Sequence, residues 1–295
     1  MRVSIVTPTY NMERFLREAI ESVLAQDYPN IEYIVIDGGS KDGTLELLRN
    51  YDGRLRYFSG PDAGTADAIN KGFSLCNGEI FGFLNADDTL MPGAVSRAVR
   101  EFQDNTETAV VYGRAHWVDL TGQILREYPV RPFDARLLAK ECFISQPASF
   151  IRSTAFKSVG MMNPALKYTF DYDLWMRIAK VAPMVHVPEV LATSRMHTGN
   201  KTVGQRGKAL HETIQVLKTH YDYVPFAWIH AYAAYLADGR DQFFEELRPS
   251  IAKYILSLFI GLRVNVRHPL RYLHDWARVM SMRGLARRWQ GFLGK

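Results

Sequence analysis

The chain has 295 residues, 47% hydrophobic and 23% charged, which is enough for one large α/β domain with an appendage and excludes a disordered chain. Its net charge of +5 is uneven: the segment from Arg248 to Lys295 has ten Lys or Arg against one acid and carries +9, so the rest carries −4. Cys76 and Cys142 have neither metal-ligand nor redox spacing, so we expect no disulfide framework and a reducing compartment.

The N-terminal half alternates strand patterns with helix patterns. Residues 3–7 predict a buried strand with no signal peptide before it, so we expect a cytoplasmic chain. An amphipathic helix follows, and Asn11 is its predicted cap. Three further strands are predicted, with helices between them, at residues 31–36, 55–58 and 80–84. This alternation predicts a Rossmann-like sheet of parallel strands with right-handed crossovers.

Two adjacent carboxylates, Asp87 and Asp88, follow the fourth predicted strand. The loops after parallel strands meet at one edge of the sheet, where α/β proteins bind ligands. Hard oxygen ligands at that edge suit a divalent cation that carries phosphates. The alternative is that one of the two carboxylates only caps the helix that Pro92 opens.

Beyond Pro92 the pattern is mixed. A helix is predicted over residues 94–102, and strands are predicted on either side of a turn at Thr121-Gly122. Two short strands separated by Pro188 are predicted within residues 185–196. A short helix is predicted around Asp171 and Asp173, and the chain from about residue 204 onward is predicted to be helical.

Five motifs in this order resemble a family 2 glycosyltransferase of the GT-A fold: SIVTPTYN at 4–11, DGGSKDGT at 37–44, GTADAINKG at 64–72, NADD at 85–88 and DYDLW at 171–175. The resemblance implies an α/β catalytic domain over residues 1–203, with a mostly parallel central sheet flanked by helices. Its nucleotide-binding half is 1–90 and its acceptor-binding half is 91–203. A basic, helical appendage over 204–295 completes the predicted organisation.

The resemblance also implies an inverting enzyme that uses a nucleotide-diphosphate sugar together with Mg²⁺ or Mn²⁺. It implies that Asp37 accepts a hydrogen bond from the nucleobase and that Gly38 and Gly39 let the backbone approach closely. The predicted nucleotide-binding residues are Thr7, Pro8, Tyr10, Asp37, Gly39, Ser40, Asp67, Lys71, Asn85, Ala86 and Asp87. Two structural alternatives remain open: an ordinary turn capped by Asp42 or Thr44, and a solvated i, i+4 pair of Asp67 with Lys71.

The acidic motif departs from the usual family form, which has Asp where this chain has Asn85. An amide adds no charge to a metal site, so the predicted metal ligands are Asp87, Asp88 and His197. A lone histidine is also commonly structural. Gln146 is predicted to border the sugar pocket from its position alone.

The catalytic base is predicted to be Asp171. Inverting transfer needs a carboxylate that removes the proton of the acceptor hydroxyl. Helical spacing puts Asp171 on the apolar face with Trp175, whereas Asp173 falls opposite Arg177 as a surface pair. The alternative is that Asp171 only caps its helix.

Three interpretations fit the basic C-terminal region. The apolar run at 254–262 is far shorter than the ~20 residues that span a bilayer. Together with Trp276, Trp289, Phe292 and the arginines, it indicates either helices on an anionic membrane surface or an appendage packed on the catalytic domain. Nucleic-acid binding comes third, because no recognition motif accompanies the basic composition.

The sequence therefore predicts a metal-dependent inverting glycosyltransferase, peripheral on the inner face of the cell membrane, whose acceptor is a saccharide or lipid-linked precursor of a surface polysaccharide or glycolipid. Two rivals are a sugar-phosphate nucleotidyltransferase and a non-catalytic nucleotide-sugar-binding protein. The first is expected to have a Gly-rich basic loop after the first strand, where this chain has Thr7-Pro8-Thr9-Tyr10-Asn11. The second requires that Asn85 marks a decayed site.

Overall fold

The computed structural model describes residues 1–239 and 250–280. The chain divides into two compact units, Met1–His197 and Thr198–Lys295. The predicted boundary after residue 203 lies a few residues later than this division.

Four parallel strands form the first half of the N-terminal unit, as the sequence predicts. They are β1 (Val3–Thr9), β2 (Ile31–Asp37), β3 (Arg56–Ser59) and β4 (Ile80–Phe83), in the spatial order β3-β2-β1-β4. The connecting helices are α1 (Glu13–Leu24), α2 (Thr44–Arg49) and α3 (Thr65–Ser74). Every residue of β1 is buried, which explains its continuous apolar run.

The second half of this unit continues the sheet with mixed pairing. Its strands are β5 (Thr89–Leu90), β6 (Val110–Val118), β7 (Ile124–Glu127), β8 (Ser149–Arg152) and β9 (Met184–Arg195). The order continues from β4 as β8-β6-β9-β5, with β7 paired to β6, and β8 is antiparallel to both of its neighbours. The helices are α4 (Ala94–Asp104), α5 (Ser153–Ser158) and α6 (Phe170–Ile178), with a 3-10 turn at Gln146–Ala148. The predicted α/β fold is thus confirmed.

Local details differ from the sequence predictions at three points. Asn11 does not cap α1, because it adopts a left-handed φ of 52° and its Oδ1 accepts a hydrogen bond from the backbone N–H of Lys41. The helix after Pro92 begins at Ala94 with Gly93 as its N-cap, so neither Asp87 nor Asp88 caps it.

Pro188 does not divide β9 into two strands. The strand continues through it, and the register against β6 shifts between Tyr112 and Arg114, opposite the proline. An irregularity of this kind accommodates a residue that has no N–H to donate to the ladder.

The C-terminal unit is helical over its described residues, as predicted. Its helices are α7 (Lys201–Gly204), α8 (Arg206–Tyr221), α9 (Phe226–Asp238), α10 (Ile251–Val264) and α11 (Pro269–Met280). Buried side-chain hydrogen bonds join them: Tyr272 Oη donates to the carbonyl of Ser257 at 2.8 Å, and Asn265 bonds both backbone groups of Val224. No helix in residues 1–239 or 250–280 is long and apolar enough to cross a membrane. Trp289 and Phe292 lie outside the described residues.

Candidate active site

The carboxyl ends of the parallel strands bring the predicted nucleotide-binding loops to one edge of the sheet. Thr9 at the end of β1 is in register with Asp37 at the end of β2, and Asp37 is in register with Ser59 at the end of β3. On the other side of β1, Val6 is in register with Phe83, the last residue of β4. Segments that are far apart in sequence therefore meet where an α/β sheet binds ligands.

Asp37 organises the loop that follows β2. It is fully buried, and its carboxylate accepts hydrogen bonds from the backbone N–H groups of Gly39 and Ser40, from the Ser40 hydroxyl, and from Ser59 Oγ at 2.6 Å. Gly39 has a φ of 83°, a left-handed conformation that favours glycine. Asp42 accepts hydrogen bonds from the N–H groups of Thr44 and Glu13, so the structural alternative for this loop also holds in part.

The residues at the end of β1 that are predicted to bind the nucleotide differ in their exposure. Thr7 is buried and its hydroxyl bonds Tyr33 at 2.9 Å, so its side chain belongs to the core, and its nucleotide-binding role stays a prediction. Pro8 is also buried, whereas Tyr10 is 55% exposed beside Gly38. Thr9 Oγ1 is buried and has no hydrogen-bond partner among the described residues, which leaves a polar atom for a ligand or water at this edge.

Asp67 and Lys71 form the predicted i, i+4 pair, with 2.9 Å between Oδ2 and Nζ. Asp67 also accepts a hydrogen bond from the backbone N–H of Ala63, and this bond is the main reason why its pKa is below the usual value. The Lys71 ammonium donates to the carbonyl of Pro61 at 3.1 Å. Their nucleotide-binding role stays a prediction.

The acidic loop after β4 is held by an amide network. Gln146 Nε2 donates to the carbonyl of Phe83 at 2.6 Å, which fixes Gln146 Oε1 as an acceptor for Asn85 Nδ2 at 2.8 Å. Asn85 Nδ2 also lies 3.3 Å from Asp88 Oδ2. Gln146, predicted to border the sugar pocket, thus supports the acidic loop, and the neighbouring Ala86 is buried.

Asp88 is directed into the protein. It is 3% exposed, and its Oδ1 accepts a hydrogen bond from the backbone N–H of Arg195. Burial, and next the charge of Asp87, raise the pKa of Asp88 well above its usual value. With both oxygens engaged, Asp88 supports the loop, and Asp87 is the carboxylate left near the surface.

Asp87 and His197, two of the predicted metal ligands, lie next to each other. The Nε2 atom of His197 lies 3.1 Å from Oδ2 of Asp87, and the imidazole packs against the ring of Phe15. In the part of the chain that the structure describes, no group of three or more His, Cys, Asp or Glu side chains is arranged to hold a metal. Two ligands still fit Mg²⁺ or Mn²⁺, because such an ion takes its other ligands from substrate phosphates and water.

Asp171 lies in the first turn of α6, two residues after the N-cap Thr169, so it is not the cap itself. Burial raises the pKa of the Cys142 thiol to about 12, and the negative charge of Asp171 adds to this effect. The pKa of Tyr128 is raised by burial and, to a smaller extent, by the same carboxylate. Asp171 is therefore close to two half-buried protonated groups, the Cys142 thiol and the Tyr128 hydroxyl.

Asp173 differs from its predicted surface position. It is only 7% exposed, and its Oδ2 lies 2.9 Å from Arg177, whose guanidinium also donates to the carbonyl of Val159. The i, i+4 pair is confirmed, but it is largely buried. The reason is that α6 is buried on nearly all sides, so helical spacing gives it no clear solvent face.

A family model decides the identification. The model described as "Glycosyl transferase family 2" matches residues 4–160, which is more than half of the chain. The chain belongs to this family.

Relatives and solved structures agree with this assignment. An uncharacterized glycosyltransferase of Rickettsia felis is 30% identical over 302 residues, covering 93% of this chain and 49% of the relative. The chondroitin synthase of Escherichia coli is 27% identical over 204 residues, covering 68% of this chain and 30% of that protein. The crystal structure of S. aureus TarS 1-349 in complex with UDP-GlcNAc has a TM-score of 0.61 at 16% identity and covers 90% of this chain and 81% of that chain, which confirms the GT-A fold. The chain spans about half the length of the Rickettsia felis relative.

For a family 2 glycosyltransferase chain, the amide at position 85 fits its surroundings. Its Nδ2 donates towards two acceptors, Gln146 Oε1 and the buried carboxylate of Asp88. An aspartate there would place a carboxylate oxygen against both of them. Asn85 is thus integrated into the loop by hydrogen bonds to both neighbours.

We expect Asn85→Asp to destabilise the chain by about 1–3 kcal/mol, because it leaves a buried acceptor unpaired and places a second carboxylate beside Asp88. Chemical denaturation of the parent and the variant measures this difference. Asn50→Asp makes the same change at an exposed position and should stay within about 0.5 kcal/mol. Equal stability of Asn85→Asp and the parent would contradict the hydrogen-bond assignment.

Arg195 is a site residue that sequence reasoning passed over in favour of its neighbour His197. Its backbone N–H holds Asp88, while its buried guanidinium donates to the carbonyls of Asp119 and Leu120 and pairs with Glu18. It therefore ties the acidic loop to α1 and to the turn after β6. Arg195 stands at the end of a predicted strand, two residues before a candidate metal ligand. This position could have indicated that it belongs to the site.

Proposed function

We propose that this protein is a metal-dependent inverting glycosyltransferase. It moves a hexosyl or hexosaminyl group from a nucleotide-diphosphate sugar to a hydroxyl of a saccharide or lipid-linked precursor of a surface polysaccharide or glycolipid. The observation that carries the proposal is the pairing of Asp87 with His197 at the same sheet edge as the Asp37 loop. The family membership and the likeness to a chondroitin synthase support the reaction class and the type of acceptor.

Each group has a distinct role in the proposed reaction. Asp87 and His197 hold the divalent ion, which when bound neutralises charge on the diphosphate leaving group. Asp171 removes the proton of the acceptor hydroxyl while that oxygen attacks the anomeric carbon from the face opposite the diphosphate. The bond from the anomeric carbon to the acceptor oxygen forms as the bond to the diphosphate breaks. The proton ends on Asp171, and the sugar configuration is inverted.

Two rival functions receive less support. A nucleotidyltransferase is expected to carry a Gly-rich basic loop after β1, and Thr7-Pro8-Thr9-Tyr10-Asn11 occupies that place. A non-catalytic binding protein would be favoured by a decayed acidic loop, yet Asn85 is hydrogen-bonded to Gln146 and Asp88.

Thermal unfolding in the presence of nucleotides tests the proposal. The parent is heated with UDP, GDP, CDP, dTDP or ADP, each with and without Mn²⁺. At 100 times its Kd a ligand adds about 2.7 kcal/mol of stability, which should raise the Tm by at least about 5 °C. We expect this rise with at least one diphosphate and only when Mn²⁺ is present. A parent that responds to none of them would contradict the proposal.

We also propose that the C-terminal unit contacts an anionic membrane surface, where a lipid-linked acceptor would lie. Ile251, Ile255 and Phe259 recur every four residues on α10 and are each 47% exposed or more, so they form an apolar stripe on one face of the helix. Arg263 and Arg267 follow this stripe and are exposed. An apolar stripe followed by arginines fits the interface of a bilayer that carries negative headgroups.

We expect the parent to float with vesicles of phosphatidylglycerol and phosphatidylcholine but not with phosphatidylcholine alone, and to be released by salt. Truncation after Pro249 and the double variant Ile255→Glu, Phe259→Glu should both abolish flotation. Leu236→Glu changes a comparably exposed residue on α9 and should leave flotation unchanged. Binding that ignores lipid charge, or that survives in the double variant, would indicate a packed appendage instead.

A further inference from the structure

The C-terminal unit contains a cavity of about 540 Å³ between the last turn of α8 and the loop that joins α10 to α11. Its lining includes Gln215, Lys218, Thr219, Asp222, Val266 and Arg267. Buried hydrogen bonds fix its walls, because the side chain of Asn265, in the α10–α11 loop, bonds the N–H and the carbonyl of Val224 just after α8. The cavity is therefore a built feature of this unit.

Lys218 and Arg267 bring positive charge to the cavity. Within residues 1–239 and 250–280, the Lys218 ammonium has neither an ion pair nor a hydrogen bond. The Arg267 side chain is 77% exposed, and its Nη1 lies 3.5 Å from Asp222 Oδ2, so most of its five N–H donors are open to a ligand. Two cations whose donors the protein does not use fit a phosphate group.

Hydrogen-bond acceptors line the same cavity. Thr219 Oγ1 donates its proton to the carbonyl of Gln215 at 3.0 Å, so its lone pairs remain to accept. Asp222 ends α8 with a left-handed φ of 50°, and its Oδ1 accepts no hydrogen bond from the part of the chain that the structure describes. A bare phosphate is repelled by this carboxylate, whereas a hydroxyl donates to it. The lining therefore fits a phosphate ester that carries hydroxyl groups.

We propose that this cavity binds the headgroup of a membrane lipid whose phosphate carries a hydroxylated alcohol, as in phosphatidylglycerol. Lys218 and Arg267 hold the phosphate, and Thr219 and Asp222 accept hydrogen bonds from the hydroxyls. This inference rests on the proposed membrane contact of the C-terminal unit, and it adds one defined lipid site to a general attraction for negative charge.

Exposed apolar side chains beside the cavity favour a lipid over a free phosphate ester. Val266 lines the cavity and is 63% exposed, and Leu270, in the first turn of α11, is 79% exposed. Acyl chains cover such side chains favourably, whereas a free sugar phosphate does not. The apolar stripe of α10 lies on the helix that leads into the same loop.

Vesicles of two lipids with the same charge test the site. Phosphatidylglycerol and phosphatidylmethanol are both phosphodiesters with one negative charge, but only phosphatidylglycerol has hydroxyl groups in its headgroup. Each is mixed in the same proportion with phosphatidylcholine, and flotation of the full chain is measured over a series of lipid concentrations. We expect the parent to bind phosphatidylglycerol vesicles at least about tenfold more tightly, because the other lipid lacks the hydrogen bonds to a charged group.

Three variants separate the site from general charge. Asp222→Gly keeps the left-handed helix end but removes the acceptor, so the ratio of the two affinities should approach one. Its retained binding to phosphatidylmethanol shows that it is folded. Lys218→Gln should weaken binding to both lipids by about fivefold. Lys208→Gln makes the same charge change at an exposed position on the same helix and should bind as the parent does.

Titration calorimetry distinguishes a lipid from a free phosphate ester. Dihexanoyl phosphatidylglycerol below its micellar concentration should bind the parent more tightly than glycerol phosphate, and equal binding would overturn the assignment to a lipid.

Equal affinity of the parent for the two kinds of vesicle, or equal effects of Lys218→Gln and Lys208→Gln, overturns this inference alone. A parent that binds neither kind of vesicle overturns the proposed membrane contact and this inference with it. The nucleotide-binding experiment tests the transferase independently of both.

Discussion

Asp171→Asn should lower sugar transfer by at least about a hundredfold while leaving metal-dependent donor binding unchanged. A positioned general base contributes about 10²–10⁴ in rate, and an amide keeps the shape of the side chain but cannot take the proton. A hundredfold loss corresponds to roughly 2.7 kcal/mol of transition-state stabilisation. Transfer rates at saturating donor, together with the Kd for the nucleoside diphosphate, measure the two effects separately.

Asp173→Asn is the matched control on the same helix. The largely buried pair with Arg177 means that this variant should lose stability, by about 1–3 kcal/mol, whereas its transfer rate at a temperature where it is folded should fall less than about tenfold. If Asp173→Asn instead lowers the rate as much as Asp171→Asn, the base must be sought elsewhere.

Asp87→Ala should abolish the dependence of nucleotide binding on Mn²⁺ and weaken that binding by at least about a hundredfold. Mutation of a residue that only supports a metal ligand typically lowers metal affinity by about 10–100-fold. Removal of a ligand itself should therefore lower it further. The fold should persist, because Asp87 lies in a loop at the sheet edge and its side chain pairs with His197. Calorimetric titration with and without Mn²⁺ gives both numbers.

Asp104→Ala removes a carboxylate from an exposed position at the end of α4 and should bind as the parent does. His197→Ala should weaken Mn²⁺-dependent binding less than Asp87→Ala, because a neutral imidazole adds a ligand but no charge. Parent-like binding by Asp87→Ala in Mn²⁺ would contradict the assignment of the metal ligand.

The parallel half of the fold was predictable because its information is local. Buried strands separated by amphipathic helices determine the crossovers and the edge where the loops meet, and β1, β2 and β4 follow from their apolar runs. The second half depends on pairing between distant segments. No local pattern in Ser149–Arg152 indicates that β8 lies antiparallel between β4 and β6.

The sequence predicts which residue types lie in the site, but it predicts less well what each side chain does there. Asp37 and Asp88 occur where the motifs put them, but their oxygens are engaged by groups such as Ser59 and the backbone of Arg195, which come from distant loops.

Helical spacing correctly predicts the pair of Asp173 with Arg177, but it does not predict which carboxylate of α6 is exposed. Periodicity distinguishes a buried face from a solvent face only when a helix has one of each. Seven of the nine residues of α6 are buried, so Asp173 is enclosed although its spacing indicated the outside, whereas Asp171, predicted to point inward, is one of the two that are not buried.

The most direct test of a metal-dependent inverting transferase is to follow nucleotide sugars with the purified chain by NMR, using water as the acceptor. With nucleotide-diphosphate sugars of α configuration and Mn²⁺, the parent should release the nucleoside diphosphate of its donor, and the first sugar product should be the β anomer. Asp171→Asn and Asp87→Ala should release neither at a comparable rate. An α product, or release that continues unchanged without a divalent cation or without Asp171, would contradict the mechanism.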